Sequence, residues 1–241
     1  MSEVLPNPTT AETPDVGLVS RLIGVVFSPR AAYSAIAARP RWFGAMVVCG
    51  LIYVGAQVTF LSTEVGQNAA LDQQLSVLKT FGVTVTDQML QQMQSRMAYA
   101  PYTTAASLIV MLPLICAVVA GILLAVFTAV LGGGATYRQV FAVVAHSLII
   151  GAIQQVFSLP IMYARADMTS PTRLSVFFPN LDEMGFFMYL LSAIDLFIIW
   201  SCINTSIGVA VLYKRRTGPV AAVLLGIYAV IAVIIAAVRA F

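Results

Sequence analysis

Charged residues are scarce in this chain. Asp, Glu, Lys and Arg make up 10% of its 241 residues, where a soluble globular domain carries about 25%. That deficit excludes an ordinary water-solvated surface. Histidine occurs once and cysteine three times, so metal sites and Ser-His-Asp arrangements are thinly supplied. Cys49, Cys116 and Cys202 are scattered through apolar stretches, where a thiol behaves as a small hydrophobe, and no disulfide framework follows. The net charge of +3 is too small to recruit nucleic acid. Neither His-Glu-x-x-His nor Gly-x-Ser-x-Gly occurs. The Gly132-Gly133-Gly134 run lacks the Gly-Lys-Ser/Thr of a phosphate-binding loop. No catalytic residue, metal ligand set or cofactor is therefore expected, and the chain is read as non-enzymatic.

What is abundant is apolar surface. Hydrophobic residues reach 60% and the mean hydropathy is +0.91. Five long apolar runs cover 42–61, 105–131, 137–164, 186–213 and 219–238. About 20 apolar residues cross the ~30 Å hydrocarbon layer as a helix, and lipid tolerates no open sheet edge or exposed loop. The expected fold is an all-α polytopic membrane bundle of five transmembrane helices. Amphipathic interfacial helices precede it and one extracytoplasmic connection is itself helical.

Basic residues set the expected orientation. Arg21, Arg30, Arg39, Arg41, Arg138, Lys214, Arg215 and Arg216 fall on one side if the spans alternate, and Lys79, Arg96, Arg165, Arg173 and Arg239 on the other. The richer side is cytoplasmic by the positive-inside bias. The amino terminus is then cytoplasmic and the carboxyl terminus extracytoplasmic, in a cell membrane of the bacterial inner-membrane type.

Outside the spans, residues 1–15 read as a disordered tail with Pro6, Pro8 and Pro14 and nothing to bury; no cleavable signal peptide is expected there. Residues 16–40 read as two interfacial helices, Arg outward and apolar side chains inward, the second opened by Ser28-Pro29 and ended by Pro40. Residues 41–241 form the membrane domain. Between the first two runs, Leu71, Leu75 and Leu78 mark a helix that Gly82 stops. Thr86 or Asp87 starts another, with Met89, Met93 and Met97 on one stripe and Gln91, Gln92 and Gln94 off it. The Met stripe is read mainly as packing, with a soft metal site or peptide groove as the sharper alternative.

Asp195 is the only acid within the five runs. Nine positions into the fourth run, it would lie about 13 Å down a helix, where a charged side chain costs ~2.5–3.5 kcal/mol. His146, nine positions into the third run from the opposite side, would reach a similar depth and could pair with it. Gln154 and Asn204 complete a candidate intramembrane polar layer. Two uses fit: a proton or ion relay, or hydrogen bonds that fix helix packing at ~0.6 kcal/mol each.

Three segments carry a family resemblance. They are Leu22-Ile23-Gly24-Val25-Val26-Phe27-Ser28-Pro29-Arg30-Ala31-Ala32-Tyr33-Ser34-Ala35-Ile36 with Arg39-Pro40, Gly132-Gly133-Gly134-Ala135-Thr136-Tyr137-Arg138-Gln139-Val140, and Leu191-Ser192-Ala193-Ile194-Asp195-Leu196-Phe197-Ile198-Ile199-Trp200 with Gly208. In order and spacing the chain resembles bacterial members of the YIP family, five-span membrane proteins named for interaction with Ypt/Rab GTPases. The resemblance implies five spans and a cytoplasmic amino terminus. Among eukaryotic relatives it implies a membrane adaptor in vesicle traffic. Asp195, Phe197, Trp200 and Gly208 belong to the matching segment.

The sequence thus points to a scaffold or adaptor whose partners are the lipid bilayer and a membrane or cytoplasmic protein. The alternative is a small transporter or channel using Asp195 and His146. Small residues such as Gly121, Gly151 and Gly208 permit close helix contacts and leave homo-oligomerisation open.

Overall fold

A computed structural model describes residues 17–180 and 185–240. The tail expected over 1–15 lies outside the described residues, and so do three of the four residues, Asn180-Leu181-Asp182-Glu183, that the sequence offers as a cap for the fourth run. Among the described residues the chain forms ten α-helices, one short 3₁₀ turn at Leu174–Phe177, and no strand beyond an isolated bridge. They are α1 Leu18–Phe27, α2 Pro29–Ala38, α3 Phe43–Leu61, α4 Glu64–Thr80 and α5 Asp87–Met97. Then follow α6 Ala100–Leu131, α7 Tyr137–Arg165, α8 Phe186–Ala193, α9 Leu196–Leu212 and α10 Thr217–Ala240.

Among the described residues four helices are long and apolar enough to cross a membrane: α3, α6, α7 and α10. They coincide with four of the five expected runs. The fourth run differs. It is two helices, α8 and α9, separated at Ile194 and Asp195, whose backbones are extended. Both halves pack along α10, so the run still follows its neighbour from end to end, as a discontinuous element.

Helix α7 is the centre of the bundle. It contacts α3, α6 and α9, and 56% of its most apolar stretch is buried, against 17% for α6 and for α10. Its start is well defined: Thr136 and Gln139 form a reciprocal capping box, satisfying donors that a helix start leaves open. The outer helices expose rows of large aliphatic side chains, including Ile109, Val110, Ile115 and Val118 on α6 and Val230, Ile234 and Val238 on α10. Apolar patches of that extent are uneconomic in water and ordinary in hydrocarbon.

The two ends of the bundle are unlike. At one end the turn at Gly132–Gly134 meets the α9–α10 turn: Thr128 and Tyr213 share a hydrogen bond of 2.9 Å between hydroxyls. Gly132 and Gly133 have φ of 64° and 121°, values that favour glycine. Helix α2 joins this end through Gln139, which donates to the Ala37 carbonyl at 3.1 Å. At the other end α4 and α5 cap the bundle. Phe60, Leu61, Ala70, Leu71, Met97 and Met162 bury one another there. Helix α4 ends just before Gly82, at φ 69°, and Thr86 caps α5 through the Met89 amide. Met97 and Met93 pack in this cluster while Gln91, Gln92 and Gln94 face outward; Met89 lies outside it and, with Met93, Val77 and Leu78, lines a surface groove between α4 and α5.

The second amino-terminal helix keeps the expected arrangement, with Arg30 exposed and Ala32, Tyr33 and Ile36 buried; the first departs from it. Arg21 is buried at 6% exposure, while Val19, Ile23 and Phe27 are exposed at 69%, 54% and 80%. Helix α1 turns its Arg21 face toward the bundle, against α7 and α3. Helix α2 drives Tyr33 fully into the protein.

Candidate functional site

The break between α8 and α9 gathers polar groups from four parts of the chain. Asp195 is 3% exposed and is the N-cap of α9: its Oδ1 accepts from the Phe197 amide at 2.8 Å. Asp is a preferred N-cap and a weak interior helix residue, which explains why α9 begins after it. Ser170 donates to Oδ2 at 2.6 Å, and Thr172 donates to both carboxylate oxygens at 2.9 Å. Gln154, from α7, donates to Oδ1 at 3.0 Å. The Gln154 amide also reaches the Ser170 and Thr172 oxygens at 3.3 and 3.4 Å. The single Thr172 hydroxyl proton is thus shared between the two carboxylate oxygens, and the two Gln154 amide protons among Oδ1 and the two hydroxyl oxygens.

The main chain at the break is satisfied just as fully. Leu174 donates to the Ile194 carbonyl at 2.9 Å and Leu196 to the Thr172 carbonyl at 3.2 Å. This pair is the bridge of Arg173 with Asp195. From α10, Tyr228 accepts from the Asp195 amide at 3.0 Å and donates to the Ala193 carbonyl at 2.7 Å. One phenol therefore replaces a backbone bond that the interrupted helix lacks. Non-helical backbone inside a membrane bundle is tolerated only where protein satisfies it, and here it does.

A second cluster docks α1 and α2. Tyr33 donates to Asn204 Oδ1, and its hydroxyl lies 2.7 Å from Ser147 Oγ. Asn204 Nδ2 donates to the Val25 carbonyl at 2.7 Å. Tyr33 has one proton and gives it to Asn204, so Ser147 supplies the proton between the two hydroxyls. That proton is shared with the Val143 carbonyl, 2.9 Å away. Burial pushes the Tyr33 phenol above its ordinary value of 10.0, opposed by the Ser147 bond. Gly208 makes room: a Cβ there would press on a Val143 methyl and lie 3.1 Å from the Tyr33 ring.

The expected polar layer of Asp195, His146, Gln154 and Asn204 is divided by this geometry. Asp195 meets Gln154, which lies eight residues beyond His146, about 12 Å further along α7 at ~1.5 Å per residue. His146 does not pair with Asp195. Its Nδ1 is 2.8 Å from the Ala142 carbonyl, and its Nε2 is buried with no hydrogen-bond partner among the described residues. Asn204 stands at the other cluster, nine residues along α9 from Asp195. Nine positions from opposite ends cover together about 27 Å at ~1.5 Å per residue, whereas α7 runs for 29 residues, so the two side chains stand at different levels.

The remaining residues of the matching segment have packing roles. Phe197 stacks obliquely on Phe157 and Trp200, with centroids 5.9 and 5.7 Å apart. Ser170, Thr172, Tyr228 and Tyr33 escaped sequence reasoning. The Asp N-cap preference could have revealed the break, but no local signal joins position 33 to 204 or 172 to 195.

A cavity of about 280 Å³ lies between the clusters. Tyr53, Ser147, Gln154, Cys202 and Thr205 are among its lining. It touches Gln154 of one cluster and Ser147 of the other.

An all-helical bundle with lipid-facing aliphatic rows, a buried polar break and four long apolar helices defines a multi-pass integral membrane protein. Comparison with protein families matches the Yip1 domain over residues 23–238. The chain belongs to the Yip1 family. Searches of curated proteins and of solved structures each found no significant match.

Proposed function

We propose that this protein is a non-enzymatic scaffold or adaptor of a bacterial inner membrane. Its amino terminus and its Gly132–Gly134 and Lys214–Arg216 turns face the cytoplasm, and its carboxyl terminus lies outside. The observation that carries this reading is the saturation of Asp195. Among the described residues all its side-chain partners are donors, from three hydrogen-bonding side chains and one backbone amide. A relay carboxylate needs a route for protons or ions, whereas a saturated one fixes the packing of its neighbours. The separation of His146 from Asp195 supports the same reading.

One observation favours transport as a second reading: the 280 Å³ cavity adjoins both polar clusters. Liposome flux combined with thermal unfolding decides between them. The scaffold reading expects no pH-dependent flux from the wild type and a less stable Asp195→Asn variant. Flux that Asp195→Asn abolishes at unchanged stability overturns it.

A further inference from the structure

A second groove has a different character. It lies between α3 and α6, has a volume of about 430 Å³, and is lined almost wholly by apolar atoms. Trp42, Met46, Gly50 and Val54 line it from α3, and Leu108 and Leu112 from α6. Gly50 supplies no side chain, and the nearest atom to a Cβ built there is a Leu112 methyl at 3.8 Å. The floor is therefore open because a residue is small.

Length identifies the occupant. Positions 42 to 54 rise about 18 Å along a helix, close to half of the ~30 Å hydrocarbon core. The groove is thus about as long as one leaflet is thick. Its basic-end limit is an aromatic collar: Trp42 packs edge-on against Phe141 at 4.9 Å and Phe43 at 5.8 Å. Trp at this level marks a membrane–water interface. Just before it come Arg39 and Arg41, both exposed and held in one turn by the Arg41 amide bonding the Arg39 carbonyl at 2.8 Å. Guanidinium groups bind phosphate in forked geometry.

We propose that the α3–α6 groove holds one acyl chain of an anionic phospholipid from the leaflet at the basic end of the bundle. Arg39 and Arg41 take its phosphate at the mouth. Apolar volume selects the chain and positive charge selects the headgroup, so the site discriminates lipids by sign as well as by fit. The occupant enters sideways from the bilayer.

The test is native mass spectrometry of the full chain in neutral detergent, titrated with phosphatidylglycerol or phosphatidylcholine of identical chains. It is joined to photo-crosslinking with phosphatidylglycerol bearing a mid-chain diazirine. The expected result is preferential phosphatidylglycerol binding with adducts confined to positions 42–54 and 105–115. Gly50→Leu fills the groove and weakens that binding by about tenfold or more; Val47→Trp does the same if Gly50→Leu fails to fold. Arg39→Gln with Arg41→Gln erases the preference for phosphatidylglycerol while leaving the adduct positions unchanged. Adducts spread evenly over the outer faces of α6 and α10, or filled-groove variants that bind as the wild type does, overturn the proposal. So does displacement of the lipid by inorganic phosphate alone. Spontaneous disulfide-linked dimers of Gly50→Cys assign the groove to a second copy and overturn it too.

Discussion

Asn204 holds Val25. Its side-chain amide donates to the Val25 carbonyl at 2.7 Å across 179 positions of sequence. Val25 lies near the end of α1, where helix carbonyls lack intrahelical partners, and α9 supplies the missing donor. With Tyr33 on the other face of Asn204, one amide ties both amino-terminal helices to the membrane domain.

This tie predicts a pH signature. The folded state raises the Tyr33 phenol, so its contribution is complete below the unfolded value near 10 and declines as pH rises toward the folded value. Thermal unfolding in detergent should lose stability above about pH 10. Tyr33→Phe should remove part of that slope. It should also cost about 1–3 kcal/mol at neutral pH, because Asn204 and Ser147 lose a buried partner. An identical slope in the variant contradicts the assignment.

Gly208 predicts a compensated pair. Gly208→Ala introduces a methyl against Val143 and Tyr33, and overpacking costs about 1–3 kcal/mol. Limited proteolysis should then cut α1 and α2 faster. Adding Val143→Ala removes the nearest obstructing atoms and should restore most of the loss. Additive losses in the double variant would show that the two positions are independent.

At the break, Asp195→Asn keeps an N-cap but loses one acceptor oxygen and should cost about 1–3 kcal/mol. Asp195→Ala also loses the cap and should cost about 1 kcal/mol more. Ser170→Ala should fall below both, because Thr172 still reaches each carboxylate oxygen. Melting temperatures in one detergent rank the three.

Orientation predicts accessibility. Cysteines placed singly at Lys214 and Arg216 should resist a membrane-impermeant maleimide in intact cells and react after lysis. Cysteines at Asp72 and Gln91, on α4 and α5, should react from outside. The reverse pattern would invert the chain in the membrane.

Much of this architecture was legible in the sequence. Hydropathy marks α3, α6, α7 and α10 because lipid demands an unbroken apolar surface. Gly82 and Thr86 mark their helix boundaries through local backbone preferences. The break at Asp195 was hidden, since its flanking residues are as apolar as any span and hydropathy carries no φ or ψ. The Asp195–His146 expectation failed for a different reason: depth was counted from each helix start, and α7, at 29 residues, is longer than the two depths together. Arg21 was expected to face outward, but its burial depends on contacts of α1 with α7 that no periodicity encodes. Tyr33 looked unremarkable because its partners lie 114 and 171 positions away.

The Tyr228 contact bears on biogenesis. Among the described residues, every side chain that serves Asp195 is made by the ribosome before it, except this phenol, which arrives 33 residues later. The nascent chain therefore carries an incomplete joint until α10 is inserted. A product truncated ahead of residue 228 would leave an amide and a carbonyl bare beside acyl tails, a lesion that membrane quality-control proteases are suited to find.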